Sequence, residues 1–161
     1  MMCCSIVDGV LSALIAVLGT LLGVGMTYLF QRRTAARDQA FAAQQQLRSE
    51  RMTVYSDFAG AVTEFRRGQQ DRWHRKNEDR TSSACLQART EAYRLRGVAL
   101  HALFRVQLIA SSATVIEAAR HAYELTNETH KADDRAELSA LGAQARDALE
   151  HFVKLASSDV R

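Results

Sequence analysis

From Val10 to Phe30 the chain reads VLSALIAVLGTLLGVGMTYLF, an apolar run without a charged residue. It matches the roughly 20 residues that a helix needs to cross a hydrocarbon core about 30 Å thick. A secretory leader would place positive charge before a shorter apolar stretch and small residues after it. Here the order is reversed: the tail MMCCSIVDG has no Lys or Arg and carries Asp8, whereas Arg32, Arg33 and Arg37 follow the run at once. Positive residues are retained on the cytoplasmic side during insertion. The expectation is therefore a single-pass protein of the cell membrane, with residues 1–9 outside, a transmembrane helix over 10–30 and the rest cytoplasmic. Tyr28 suits the inner boundary, where its ring would lie at the level of the headgroups.

Within the run, Ser12, Ala16 and Thr20, and also Gly19, Gly23 and Thr27, recur at intervals of four. Gly19-x-x-x-Gly23 is the spacing that lets two helix backbones approach closely in lipid, which points to self-association through Gly19, Gly23 and Thr27 and to a homo-oligomer. The plainer alternative is that glycine is simply common in membrane helices.

Past the membrane the fold class is mainly α. The 161 residues contain no proline, and Ala, Gln, Arg and Glu dominate from Arg32 onward, a composition suited to long helices. The spanning helix is expected to run on as a solvated helical stalk over 31–46, interrupted by few large apolar groups such as Phe41. A small antiparallel helical bundle is expected over 47–161. Its first helix carries Leu47, Val54, Tyr55, Phe58, Ala61, Val62 and Phe65 on a stripe broken at Arg51 and wider than a coiled-coil seam. Arg66, Arg67 and Gly68 read as its end, followed by a polar loop, GQQDRWHRKNEDRTSS.

The second helix starts near Thr81 or Ser82, with Leu86, Tyr93, Leu100, Leu103 and Phe104 expected inside. Val106–Ser112 either continues that helix or forms a short extended break. A third helix places Val115, Ala118, Ala119, Ala122 and Leu125 on one side and ends near Asn127. Asp133 or Asp134 with Glu137 starts a fourth, whose inward stripe is Leu138, Leu141, Ala145, Ala148, Leu149, Phe152 and Leu155.

No catalytic, cofactor or metal signature emerges. Cys3, Cys4 and Cys85 lack a CxxC spacing, and His74, His101, His121, His130 and His151 form no HxxxH or HExxH pair. The expectation is a protein that is not an enzyme and holds neither cofactor nor metal. The most distinctive polar segment is Arg66–Arg80, where Arg66, Arg67, Arg72, Arg75 and Lys76 surround Trp73. A basic loop with one aromatic can contact an anionic partner, nucleic acid or lipid. The simpler reading is a solvated loop anchored by its tryptophan, because Asp71, Glu78 and Asp79 are interspersed.

The order of features, AVLGTLLG in the span, FQRR and an Ala-Arg stretch inside it, then YSDFAGAVTEFRR, AYRLRGVAL and VIEAARHAYEL, resembles small actinobacterial membrane proteins related to KilB, the plasmid-encoded spread protein of mycelial bacteria. The resemblance spans nearly the whole chain and rests on helical pattern, with no invariant chemical motif. It implies a role in conjugative plasmid transfer, particularly intramycelial spread, with harm to the host when the regulator is missing. It also implies contacts with other plasmid-transfer membrane proteins, and it brings no catalytic residues. The competing readings are a membrane-tethered helical scaffold or regulator unrelated to plasmids, and a membrane-anchored accessory protein that binds DNA.

Overall fold

The computed structural model describes residues 3–160, with the side chains of Met26 and of residues 37–160. Its elements are α1 (Cys3–Glu78), α2 (Ser83–Ile109), α3 (Ala113–Glu128), a 3-10 turn (Thr129–Lys131) and α4 (Arg135–Asp159). Among the described residues there is no strand. The chain divides into two units, Met1–Gln46 and Leu47–Arg161. In the first, Met26 and the side chains from Arg37 to Gln46 are exposed. Among the described residues no helix is long and apolar enough to cross a membrane. Of the span expected over 10–30 only the Met26 side chain is among those described, and the side chains of Gly19, Gly23, Thr27, Arg32 and Arg33 lie outside them.

The second unit is a four-helix bundle, to which α1 contributes its C-terminal part. Arg51, which interrupts the apolar stripe of α1, donates its Nε to the Ile109 carbonyl at the far end of α2 (3.1 Å). Tyr55 of α1 donates its hydroxyl to Asp159 at the end of α4 (2.5 Å), and Ser111 donates to the other oxygen of the same carboxylate (2.5 Å). At the opposite end Trp73 Nε1 donates to the Ala132 carbonyl just before α4 begins (2.7 Å). These ties fix alternating helix directions, the up-and-down order that short connections favour.

The expected end of the first helix at Arg66–Gly68 is not observed: α1 continues to Glu78. The buried positions Phe58, Val62 and Phe65 are followed at helical spacing by Gln69 and Trp73, so one stripe runs through the presumed loop. Gly68 is a packing residue there, since a Cβ atom on it would lie 2.6 Å from Leu95 Cδ1 of α2. The helix stops where Asp79 turns the chain, its carboxylate accepting from Thr81 N (2.8 Å) and Thr81 Oγ1 (2.7 Å). Ser82 then caps α2 by accepting from Cys85 N (3.1 Å).

α2 runs through Ile109, and extended backbone at Ala110 and Ser112 makes the break before α3. Its inner face departs from expectation. Leu103 is buried, but its companions are Ala88, Ala92, Ala99, Ala102 and Val106, while Leu86 (58%), Tyr93 (48%) and Phe104 (51%) are exposed. After Gly97 the helix is apolar nearly all round, which gives periodicity little to choose between at Phe104, and along the whole helix small side chains let neighbouring backbones come closer. α3 buries Val115, Ala118, Ala119 and Ala122 as expected. α4 starts on a reciprocal cap in which Asp134 Oδ1 accepts from Glu137 N (2.8 Å) and Glu137 Oε2 accepts from Asp133 N (2.7 Å). Phe58 and Tyr55 meet Phe152 edge-on, and Phe65 stacks on Tyr123, so the aromatics of α1 join α3 and α4 into one core.

Candidate functional site

Because the segment 66–76 is helical, its basic side chains fan out around an axis instead of pooling in a loop. Trp73 is buried against Ala132 and Leu138, its indole hydrogen-bonded to a main-chain carbonyl and in edge contact with His74. It is therefore a core residue rather than a surface ligand. Arg67 pairs with Glu64 (2.7 Å), and Arg75 with Asp71 (3.5 Å) and Glu78 (3.1 Å), all one turn away. Lys76 is exposed, and Arg66 has a buried Nε without a hydrogen-bond partner. Arg37 is exposed in the other unit.

Arg72 takes a different course. Its guanidinium lies over the ring of Tyr93 (5.4 Å to the centroid), and Arg89 of α2 lies over the same ring (5.7 Å). Arg96, one turn beyond Tyr93 on α2, donates its Nε to the Tyr123 hydroxyl (3.3 Å). Among the described residues no ion pair joins Arg72, Arg89 or Arg96 to a carboxylate, and the nearby Glu91 is held by Arg94 in two hydrogen bonds (2.6 and 2.8 Å). The nearby guanidinium of Arg89, with the charges of Arg72 and Arg96, draws the Tyr93 phenol below its ordinary value. The cluster is thus locally electropositive.

It borders a polar cavity of about 100 Å³ between α1, α2 and α3, lined by Gln69, Arg72, Tyr93, Arg96, Asn127 and His130 among others. His130 Nδ1 lies 2.7 Å from the Asn127 carbonyl, an acceptor, so Nδ1 carries the proton. Gln69 Nε2 donates to the same carbonyl (3.2 Å). The approach of Gln69 Nε2 to His130 Nδ1 (3.1 Å) is then a contact of two donors that share one acceptor. Gln69 is only 2% exposed, yet its Oε1 has no partner. Burial, reinforced by Arg72 and Lys131, keeps the His130 imidazole below its ordinary value despite the opposing Asn127 bond and Glu128. The site thus offers guanidinium donors at its mouth and one orphaned acceptor in its wall.

Of the anionic-contact residues expected from sequence, only Arg72 enters this site; Arg89, Tyr93, Arg96, Gln69 and His130 were not anticipated. The signal for three of them was present, since Arg89, Tyr93 and Arg96 follow one another at spacings of four and three along one helix face. Among the described residues no group of His, Cys, Asp and Glu is placed to hold a metal. At the other end of the bundle an apolar groove of about 400 Å³ opens beside Met52, Tyr55, Ala59, Phe152 and Val153.

The model of a protein family described as KilB plasmid transfer protein matches residues 52–160, which takes in the bundle portion of α1 and all of α2, α3 and α4. No curated protein and no solved structure matches the chain.

Proposed function

The chain belongs to the KilB plasmid transfer protein family, and from that premise we propose that it is a non-enzymatic, membrane-anchored component of plasmid transfer or intramycelial spread that acts by assembly and protein contact. The observation that carries the reading is the family match across the bundle. The uncharged run over 10–30, followed by Arg32, Arg33 and Arg37, supports anchorage in the cell membrane with the bundle on the cytoplasmic side. Gly19, Gly23 and Thr27 supply a face on which two such helices can pair. Exposed apolar side chains on α2, among them Leu86, Phe104 and Leu108 (87%), offer contact area to other transfer proteins.

Disrupting the gene in its resident replicon tests the proposal. Transfer or spread through recipient hyphae is expected to fall, with replicon copy number unchanged. Undiminished spread, or a chromosomal setting without transfer or replication genes nearby, would favour a membrane-tethered scaffold unrelated to plasmids.

A further inference from the structure

We propose that Arg72, Arg89 and Arg96, arranged around Tyr93 at the mouth of the polar cavity, form a binding site for single-stranded nucleic acid, the guanidiniums taking backbone phosphates and the cavity receiving a donor group of one nucleotide. Three observations meet here. Among the described residues the three arginines have no carboxylate partner, although Arg67, Arg75, Arg94, Arg105, Arg120 and Arg146 all have one. Tyr93 holds two of the guanidiniums by its ring, which orients their planar donor forks before any ligand arrives. Gln69 Oε1, buried in the cavity wall, lacks a donor.

A bare anion satisfies the arginines and leaves Gln69 unmatched, because a phosphate diester has no N–H or O–H to give. A nucleotide unit carries both functions: the diester for the forks, and the N–H groups of the base for the buried oxygen. In a duplex those groups are paired, so an unpaired strand fits the site better. Exposed guanidinium planes also stack on bases, which a lipid headgroup cannot provide. The site uses neither the anchor nor Phe104 and Leu108 of α2, and the plasmid-transfer reading is carried by the family match, so failure of the site would leave that reading standing.

The test uses the full chain in zwitterionic detergent, with a fluorescent single-stranded oligonucleotide of mixed sequence titrated by anisotropy. Arg72→Ala with Arg89→Ala is expected to weaken binding about tenfold or more and to flatten the salt dependence by about one log–log unit for each phosphate left without its arginine. Arg120→Ala with Arg146→Ala removes the same charge from paired positions and is expected to change affinity by less than about twofold. Helix content by circular dichroism identifies variants that have not folded, and the single variant Arg89→Gln then serves in place of the double one. Equal losses in the two double variants, no binding by the wild type, tighter binding to duplex than to single strand, or capture only by phosphatidylglycerol vesicles would each overturn the proposal.

Discussion

At the level of single residues, Trp73 shows how one hydrogen bond changes the meaning of a side chain. Its indole reaches the Ala132 carbonyl from inside the bundle, so Trp73→Phe is expected to cost about 1–2 kcal/mol and Trp73→Ala about 3–5 kcal/mol in urea unfolding. Comparable small losses for both would contradict the buried placement. The glycines differ for similar reasons: a Cβ on Gly60 meets nothing within 4 Å, whereas on Gly68 it meets Leu95. Gly60→Ala is therefore expected to stabilise by up to about 1 kcal/mol, and Gly68→Val to destabilise. The same denaturation curves check both. Two titrating groups oppose acid. Asp159, pushed up by burial but held lower overall by its bonds from Ser111 and Tyr55, contributes stability above its ordinary value of 3.8 that is lost as pH falls through the folded value. His130, whose folded value lies below 6.5, binds its proton more readily when unfolded, so stability declines as pH drops below 6.5. His130→Gln should flatten that part of a stability–pH profile, and an unchanged slope would count against it.

At the level of elements, the starts of helices were the most legible features. Ser82 and the Asp134–Glu137 cap act through short side chains on local backbone, so sequence distance alone places them; Asp134→Ala is expected to cost about 1 kcal/mol, with loss of thermal stability as the readout. The end of α1 was not legible. Gly68 and the polar run after it carry the marks of a terminus, but Gln69 and Trp73 keep the helix wound because their partners, Asn127 and Ala132, are nearly sixty residues away. The inner face of α2 was misplaced for a related reason. The alanines at 88, 92, 99 and 102 win the interior by allowing close approach, and close approach is decided by the neighbouring helices. The arginine cluster inherits both difficulties, because Arg72 sits on the stretch read as loop and Tyr93 on the face read as core.

At the level of the whole molecule, composition was enough for the fold class: no proline and a succession of helical stripes leave a mainly α bundle as the economical solution. Membership of the KilB family was also legible, in the order of helical segments that the match over residues 52–160 takes in. The polar cavity was beyond reach, because Gln69, Arg96 and His130 come together only when three helices close on one another. Service of the bundle in plasmid transfer from the membrane is the central claim. Its most direct test is complementation of a replicon lacking the gene, using either the full chain or a chain deleted for residues 10–30 and expressed at equal level. The full chain is expected to restore spread and the deleted one to fail. Equal rescue by both would contradict the claim.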